Sequence, residues 1–316
     1  MNITVLGCGR WGSFLAWYLN SIGNNVLLWG RDSSEKFRCL KERRYNEYVK
    51  LPIEINLCNS LQIAVEFADV IFIAINEQNL RDLMKSIVLF ENYTSKSYVI
   101  CMKGLENTTC KRLSEVVNEY IGNNDQIAAI VGPAQPADLV NGSPTCMIID
   151  SHNKILASKL AKSFSRRLVH FCVGDDLIGN EIGAALNKII GIAGGVLDEL
   201  GHSSLKGILM VIGTQEIATV INAMGGNPSS AYGLCCLGDY QASVFSDYSN
   251  SVAYGKTIVQ KATFDKHAPG AFTAQTIVDL MQRYRILIPL LSQVANIILG
   301  LEEPIQMISK LINYNG

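Results

Sequence analysis

A glycine-rich segment near the start of the chain, GCGRWG at residues 7–12, has the residue types and spacing that can hold a diphosphate. The first glycine allows a tight turn, the second lets backbone N–H groups approach the phosphates, and the third lets a following helix pack closely on the preceding strand. The helix also turns the positive end of its dipole towards the phosphates. We therefore predict that Gly7, Gly9, Arg10, Trp11 and Gly12 bind a dinucleotide.

The segments around this turn fit a strand and a helix. Asn2–Leu6 is a short run rich in β-branched residues, residues 13–22 have helical spacing, and Asn25–Trp29 has the pattern of a second strand. A glycine pattern alone is weak support, because glycine-rich turns are common. A strand, turn, helix and second strand at these distances are the βαβ setting in which such a turn binds a dinucleotide.

Further apolar runs repeat this pattern at residues 70–75, 98–102 and 127–131, each followed by polar or glycine residues and then by helical spacing. The alternation predicts an α/β fold with an N-terminal, doubly wound parallel sheet of the Rossmann type. Ligands of such sheets bind beyond the carboxyl ends of the strands. We therefore expect the loops at residues 76–78 and 103–104, and the loop at 132–134, to line a cofactor cleft.

Three residues of these loops are predicted cofactor contacts: Lys103, Gly132 and Ala134. Lys103 is the notable one, because a lysine just beyond a buried strand can meet a bound ligand. It can equally be a plain surface charge, and the sequence pattern leaves both interpretations open.

The end of the second strand is where a residue that recognises the adenosine ribose belongs. An acidic residue there favours NAD, whereas a basic one can accept the 2′-phosphate of NADP. Arg31 occupies the tip and Asp32 follows it, so NAD or NADP is the expected cofactor. The alternative is that these two residues form a solvated Arg–Asp pair.

From about Leu177 the pattern changes to long helical segments with few strand signals. We predict a dinucleotide-binding domain over residues 1–176 and a helical substrate and dimerisation domain over residues 177–316. Asp239 follows an apolar run in the second half. On its own, an aspartate in that setting is more often a helix cap or turn residue than a catalytic acid.

Composition points to a small ligand. Lys and Arg number 27 against 28 Asp and Glu, with no long run of like charge, so neither nucleic acid nor an acidic membrane surface is an expected partner. The nine Cys have no C-x-x-C spacing and none joins a His at metal-ligand intervals, so we predict reduced thiols and no metal site. The N-terminus lacks the features of a secretory signal, and we expect a cytoplasmic protein without membrane insertion.

Taken together, several of these motifs resemble the NAD(P)-dependent glycerol-3-phosphate dehydrogenases. The segments that carry the resemblance run in the same order over essentially the whole chain: the glycine turn with Trp11, LLWGRD at 27–32, MKGLE at 102–106, Gly132-Pro133, GNEIGAAL at 179–186, LGD at 237–239 and Thr273-Ala274. The resemblance implies a Rossmann domain, an all-helical substrate domain and usually a homodimer. It also implies hydride transfer between the nicotinamide and C2 of a triose phosphate.

The family's active-site residues carry over in part. Lys103 and Asp239 match its active-site Lys and Asp, Ser243 stands where the family has Thr, and Ser249 matches the Ser of its Ser-Arg-Asn-Arg segment. The resemblance therefore implies that these four residues, with the adjacent Asn250, contact the substrate.

Two departures from the family pattern fall within the site. The family's general acid/base Lys and the Asn after it are exchanged here, giving Asn187 and Lys188. Where the family continues Arg-Asn-Arg to hold the substrate phosphate, this chain has Asn250-Ser251-Val252. The phosphate clamp of the family is therefore missing from this segment.

The exchanged pair bears on the proton transfer that alcohol oxidation needs. Asn187 cannot accept a proton, although it can hold a substrate by hydrogen bonds. Lys188 lies one residue further along a helix, which turns its Cβ by about 100°. Its long stem can reach back, in which case Lys188 carries the proton transfer. We favour the other alternative, in which Lys188 points into packing or solvent and Lys103, or a water ordered by Asp239, carries the proton transfer. The alternative is a catalytically silent dinucleotide-binding sensor on the same fold.

Overall fold

A computed structural model describes residues 1–47 and 49–313. The strands are β1 (Asn2–Leu6), β2 (Asn25–Trp29), β3 (Asn56–Cys58), β4 (Val70–Ile73), β5 (Ser97–Ile100), β6 (Ile127–Val131), β7 (Thr145–Ser151) and β8 (Val169–Val173). The helices of the first half are α1 (Arg10–Ser21), α2 (Glu35–Arg43), α3 (Leu61–Phe67), α4 (Leu80–Ile87), α5 (Leu113–Ile121), α6 (Pro136–Val140) and α7 (Lys154–Phe164). Those of the second half are α8 (Leu177–Glu199), α9 (Lys206–Ala223), α10 (Tyr240–Ser243), α11 (Asn250–Gln260), α12 (Pro269–Ala274), α13 (Ile277–Tyr284), α14 (Pro289–Ile298) and α15 (Gln306–Ile312).

The strands of the described residues form one eight-stranded sheet in the order β3-β2-β1-β4-β5-β6-β7-β8. β1 pairs in parallel with both β2 and β4, and the pairs β2–β3, β4–β5, β5–β6 and β7–β8 are also parallel. The first six strands follow the Rossmann order 3-2-1-4-5-6. The predicted fold class is confirmed.

The sequence located the buried strands better than the outer ones. β4 reads VIFI and is buried throughout, which is the continuous apolar run expected of a parallel strand covered on both faces. β3, β7 and β8 were not predicted. β3 has only three residues, and in β8 the buried Val169 and Phe171 alternate with the exposed His170, so no continuous apolar run marks it.

The chain divides into two compact units. The first consists of Met1–Met102, Leu113–Ile130 and Ala134–Asp175, and the second of Lys103–Arg112, Val131–Pro133 and Asp176–Gly316. Two short segments from the first half of the sequence, one of them carrying Lys103, therefore belong to the second unit. Residues 314–316 of the predicted helical domain lie outside the described residues.

The second unit is built around α8. This helix has 23 residues and is apolar on nearly all sides, as expected of a helix that is buried in a core. α9, α10, α11, α12 and α14 pack against it. The middle of α8 is therefore held from several directions, and it carries Asn187 and Lys188.

One segment, Ser203–Ala223, is long and apolar enough to cross a membrane by length and composition, with a mean hydropathy of 1.3. It contains α9, which packs against α8. Because 56% of its most apolar window is buried inside the structure, the segment also meets the description of a core helix.

Candidate active site

The glycine turn between β1 and α1 has the geometry that the sequence predicted. Gly7 has φ of +115°, and a Cβ on it would overlap the Ala74 carbonyl. A Cβ on Gly12 would overlap the carbonyl oxygen of Gly7. Both positions therefore require glycine for the turn to close.

Gly9 differs from these two glycines, because nothing lies within 4 Å of where its Cβ would be. It is the N-cap residue of α1, it makes no side-chain cap, and the first turn of α1 carries no acidic residue. An open approach to a 12-residue helix without a competing anion suits a diphosphate. The residues of this turn therefore fit NAD or NADP.

At the end of β2, Arg31 is exposed and Asp32 has partners other than Arg31. The Asp32 carboxylate accepts hydrogen bonds from the Asn59 amide and from Lys41 Nζ, the latter at 3.0 Å. These two bonds, that of Asn59 foremost, hold the pKa of Asp32 below its usual value. The interpretation of a solvated Arg–Asp pair does not fit these contacts, because Asp32 bonds to Lys41 and Asn59.

In the second unit, the Asp239 carboxylate is fully buried at the centre of a polar cluster. Its Oδ2 atom accepts hydrogen bonds from Lys103 Nζ at 2.8 Å, from Lys188 Nζ at 2.7 Å and from Asn187 Nδ2 at 2.9 Å. Among the described residues, its Oδ1 atom is buried and has no hydrogen-bond partner. Asp239 is the N-cap residue of α10, but its side chain makes no cap bond and instead binds the polar groups of the cluster.

Lys103 is held by two acceptors. Besides Asp239, its Nζ donates to the carbonyl oxygen of Gly132 at 2.8 Å, and only 17% of its side chain is exposed. It is therefore not a plain surface charge. Burial lowers the pKa of Lys103 to about 8, an effect that the nearby Lys188 adds to and Asp239 opposes.

Asn187 joins the Asp239 carboxylate to Ser243. The Ser243 hydroxyl lies 2.7 Å from Asn187 Oδ1 and 2.8 Å from the Asp239 carbonyl oxygen, so it can donate to either. Asn187 is fully buried and also approaches the Cys236 carbonyl at 3.4 Å. The Asn187 amide therefore fixes the orientation of the Asp239 carboxylate.

Ser249 and Asn250 lie at the start of α11 and support this cluster indirectly. Ser249 Oγ donates to the Ser243 carbonyl at 3.0 Å and accepts from the Val252 N–H as the N-cap of α11. The Asn250 amide donates to the carbonyl oxygen of His267 at 2.8 Å. Both side chains are thus engaged in holding α11.

Sequence reasoning missed two contributors to the cluster. The carbonyl of Cys236 accepts from Asn187, and Gly191 lies where a Cβ would come 2.5 Å from the Ser243 carbonyl. The glycines of GIAGG in α8 were the available signal, because small residues on a helix face permit close approach of a neighbouring backbone. Lys206, a buried lysine of α9, takes no part in the cluster and is bonded to Asp198 at 2.7 Å and to the Val244 carbonyl at 3.0 Å.

Comparison with known proteins decides the family. The family models described as NAD-dependent glycerol-3-phosphate dehydrogenase N-terminus and C-terminus match residues 2–157 and 176–309. The chain belongs to the NAD-dependent glycerol-3-phosphate dehydrogenase family. The resemblance drawn from the motifs is thereby confirmed.

Similar members of this dehydrogenase family come from several bacteria. A glycerol-3-phosphate dehydrogenase [NAD(P)+] of Fusobacterium nucleatum is 29% identical over 99% of this chain and 96% of its own length. A protein of the same name from Staphylococcus aureus is 28% identical over 92% of this chain and 91% of its own length.

Solved structures of the same dehydrogenase share the fold. The glycerol-3-phosphate dehydrogenase of Coxiella burnetii superimposes with a TM-score of 0.91 at 23% identity, covering 99% of this chain and 98% of that one. A D-mandelate dehydrogenase has a TM-score of 0.67 at 15% identity, covering 98% and 99%. The fold is thus shared with dehydrogenases of other names.

The exchanged pair of this glycerol-3-phosphate dehydrogenase family member behaves differently from our expectation. We expected Lys188 to point into packing or solvent, and this was wrong; the alternative, in which its long stem reaches back to the site, agrees with the structure. Its four-carbon stem brings Nζ back to Asp239, and only 15% of the side chain is exposed. The shorter Asn187 occupies the buried base of the cluster, so both residues meet the same carboxylate oxygen from adjacent helix positions.

Proposed function

We propose that this protein is an NAD(P)-dependent oxidoreductase of the glycerol-3-phosphate dehydrogenase type, acting on the CH–OH or ketone group of a small substrate. The observation that carries the proposal is the Asp239 carboxylate, which holds Lys103, Lys188 and Asn187 on one oxygen. Such a buried group of a carboxylate and a lysine with a lowered pKa is suited to proton transfer.

Lys103 is the residue that moves the substrate proton. In the direction of oxidation, its neutral amine takes the hydroxyl proton; in the direction of reduction, its ammonium returns that proton to the carbonyl oxygen. Because burial brings the pKa of Lys103 to about 8, both forms are populated near neutrality. Gly7, Gly9 and Gly12 with Arg10 and Trp11 would hold the diphosphate of the dinucleotide, which would supply the hydride acceptor or donor.

The remaining residues of the cluster orient the reacting group. Asp239 fixes Lys103, Asn187 holds the Asp239 carboxylate, and Ser243 holds Asn187 in place. Asp239 Oδ1 is a buried acceptor without a partner among the described residues, which suits a substrate hydroxyl.

The substrate is glycerol 3-phosphate, dihydroxyacetone phosphate or a related compound. Residues 250–252 supply no cation, and the Asn250 amide is engaged with His267. A desolvated phosphate without an arginine is poorly compensated. This supports a substrate whose recognition depends less on phosphate than the family pattern implies.

The test is turnover. The purified protein is assayed with NADH and with NADPH against dihydroxyacetone phosphate, dihydroxyacetone and a panel of other small ketones. Oxidation of either cofactor with one of these ketones, lost in Lys103→Met, supports the proposal. Tight cofactor binding without turnover of any ketone supports the dinucleotide sensor instead.

We also propose that the protein is a cytoplasmic homodimer. The family resemblance supports the dimer, and nine free cysteines support a reducing compartment. Sedimentation equilibrium at micromolar concentration tests the assembly, and a monomer at that concentration contradicts it.

A further inference from the structure

We infer that Lys188 is a positioning residue that sets the protonation state of Lys103 through the Asp239 oxygen that both ammonium groups share, without itself taking the substrate proton. This inference rests on the proposed function in one respect, namely that Lys103 is the group that moves the proton. The exchange of Lys and Asn at positions 187 and 188 then has a chemical purpose: it keeps a second positive charge at the carboxylate.

The geometry places two like charges on one acceptor. Lys103 Nζ and Lys188 Nζ lie 2.8 and 2.7 Å from Asp239 Oδ2, so each ammonium falls within the roughly 4–6 Å over which a neighbouring charge shifts a pKa. One carboxylate charge cannot compensate both ammonium groups at a buried site. Loss of one ammonium proton therefore relieves the repulsion between the two lysines.

The hydrogen bonds of Lys103 are compatible with its neutral form. A neutral amine has two N–H donors and one lone pair, and Lys103 has two acceptors in place, Asp239 Oδ2 and the Gly132 carbonyl oxygen. Deprotonated Lys103 can thus keep both bonds and direct its lone pair towards a substrate hydroxyl. The lowered pKa of Lys103 agrees with this arrangement.

The other titratable groups that face the two lysines do not change the charge balance. Besides Asp239, these are, among the described residues, the thiols of Cys235 and Cys236. Burial raises the pKa of the Cys235 thiol strongly and that of Cys236 to about 12, so both are neutral near pH 7. The balance at Lys103 is set by Asp239 on one side and Lys188 on the other.

Competitive acylation measures the protonation of Lys103 without any enzyme activity. The full chain is treated with trace acetic anhydride across pH 6–11, and acetylation of Lys103 is quantified by mass spectrometry, because only the neutral amine reacts. We expect a midpoint near pH 8 in the wild type. In Lys188→Met we expect it to rise by about 1 pH unit, since removing a like charge favours the ammonium.

Two further variants separate charge from structure. Lys188→Arg keeps the positive charge and is expected to keep the wild-type midpoint. Lys85→Met removes an exposed lysine that is paired with Asp82 on the surface. This variant should also leave the midpoint of Lys103 acetylation unchanged. Should Lys188→Met fail to fold by circular dichroism, Lys188→Gln, which retains a donor for the Asp239 oxygen, takes its place.

An unmoved midpoint in the folded neutral variant overturns the inference. The pH profile of kcat/KM for ketone reduction supplies the second readout, and its alkaline limb should shift upwards by the same amount as the midpoint. A shifted midpoint in a protein that reduces no ketone supports the coupling of the lysines and refutes the proposed function. Ketone reduction together with an unmoved midpoint supports the proposed function and refutes the coupling of the lysines.

Discussion

Lys103 donates a 2.8 Å hydrogen bond to Asp239, although 136 positions separate the two residues in the chain. Lys103 follows β5, whereas Asp239 immediately precedes α10, and yet both belong to the same compact unit. The contact therefore makes a loop from the first half of the sequence part of the helical unit. It also brings a largely buried lysine and a fully buried carboxylate into the arrangement from which the proposed chemistry follows.

Loss of the Lys103 amine should lower kcat more than it weakens substrate binding. We expect Lys103→Met to lower kcat by about 10²-fold or more, the usual scale for losing a general acid or base. In the wild type, ketone reduction needs the ammonium, so its rate should fall as pH rises through about 8, and alcohol oxidation should rise over the same range. Steady-state kinetics between pH 6 and 10 check both statements. A Lys103→Met enzyme with wild-type kcat would remove Lys103 from the mechanism.

Dinucleotide binding should depend on Gly9 in a way that leaves the fold intact. The space beyond Gly9 is open, with nothing within 4 Å of where a Cβ would be, so a valine there occupies the approach to the N-terminus of α1. We expect Gly9→Val to abolish NADH and NADPH binding measured by calorimetry, with an unchanged circular dichroism spectrum. Gly12→Ala is the contrasting variant, because its Cβ would overlap the Gly7 carbonyl and disturb the turn itself. Unchanged affinity in Gly9→Val would contradict the assigned role.

The dinucleotide turn and the buried strands could be predicted because their signals are local. The turn residues Gly7, Gly9 and Gly12 lie within one short segment, and β4 is a run of consecutive apolar residues. The polar cluster around Asp239 was harder to predict, because its members are distant from one another in the sequence. The resemblance to a family supplied Lys103, Asn187 and Asp239.

The direction of Lys188 could not be predicted from helical periodicity. The pattern gives the direction of a Cβ, but a lysine has four further rotatable bonds, and its ammonium can lie far from that direction. The strands β7 and β8 were also not predicted, and the reason again lies beyond the local sequence pattern. β7 mixes buried and half-buried residues and includes polar ones, and β8 alternates buried with exposed or half-buried residues, so neither is the continuous buried apolar run that marks β4.

Arg31 should matter more for NADPH than for NADH. A guanidinium beside the 2′-phosphate forms a charge-assisted hydrogen bond worth about 1.5–3 kcal/mol, which corresponds to tenfold or more in affinity. We therefore expect Arg31→Ala to weaken NADPH binding at least about tenfold and NADH binding less. Arg38→Ala, an exposed arginine of α2, serves as the matched control. Equal losses for both cofactors would assign Arg31 to adenine stacking instead.

Restoring a cation at position 250 should favour phosphorylated substrates. We expect Asn250→Arg to raise kcat/KM for dihydroxyacetone phosphate relative to dihydroxyacetone by about tenfold, the effect of one added arginine–phosphate bond. Asn250→Gln controls for loss of the bond to the His267 carbonyl. If the wild type already reduces dihydroxyacetone phosphate with an ordinary kcat of about 1–10³ s⁻¹, our view of weakened phosphate recognition is wrong.

A buried carboxylate on α9 should matter for stability alone. Glu216 accepts hydrogen bonds from the Leu290 and Leu291 N–H groups at the start of α14, each at 2.8 Å. Glu216→Ala leaves these donors buried and unpaired, and we expect it to lower the free energy of unfolding by about 1–3 kcal/mol. Urea unfolding measures the loss. Cofactor affinity should be unchanged, and a selective loss of affinity without destabilisation would contradict this assignment.

The glycines of α8 limit how the site can vary. A Cβ on Gly191 would press on the Ser243 carbonyl and one on Gly195 would overlap the Val252 carbonyl, so the helix can neither slide nor rotate to bring another residue to Asp239. In variants of this protein, the contacts of Asp239 can therefore change only through the length of the side chain at a fixed position of α8. At position 188 a lysine spans the gap to Asp239, whereas the short and rigid ring of a histidine would leave the carboxylate with Lys103 as its sole cation.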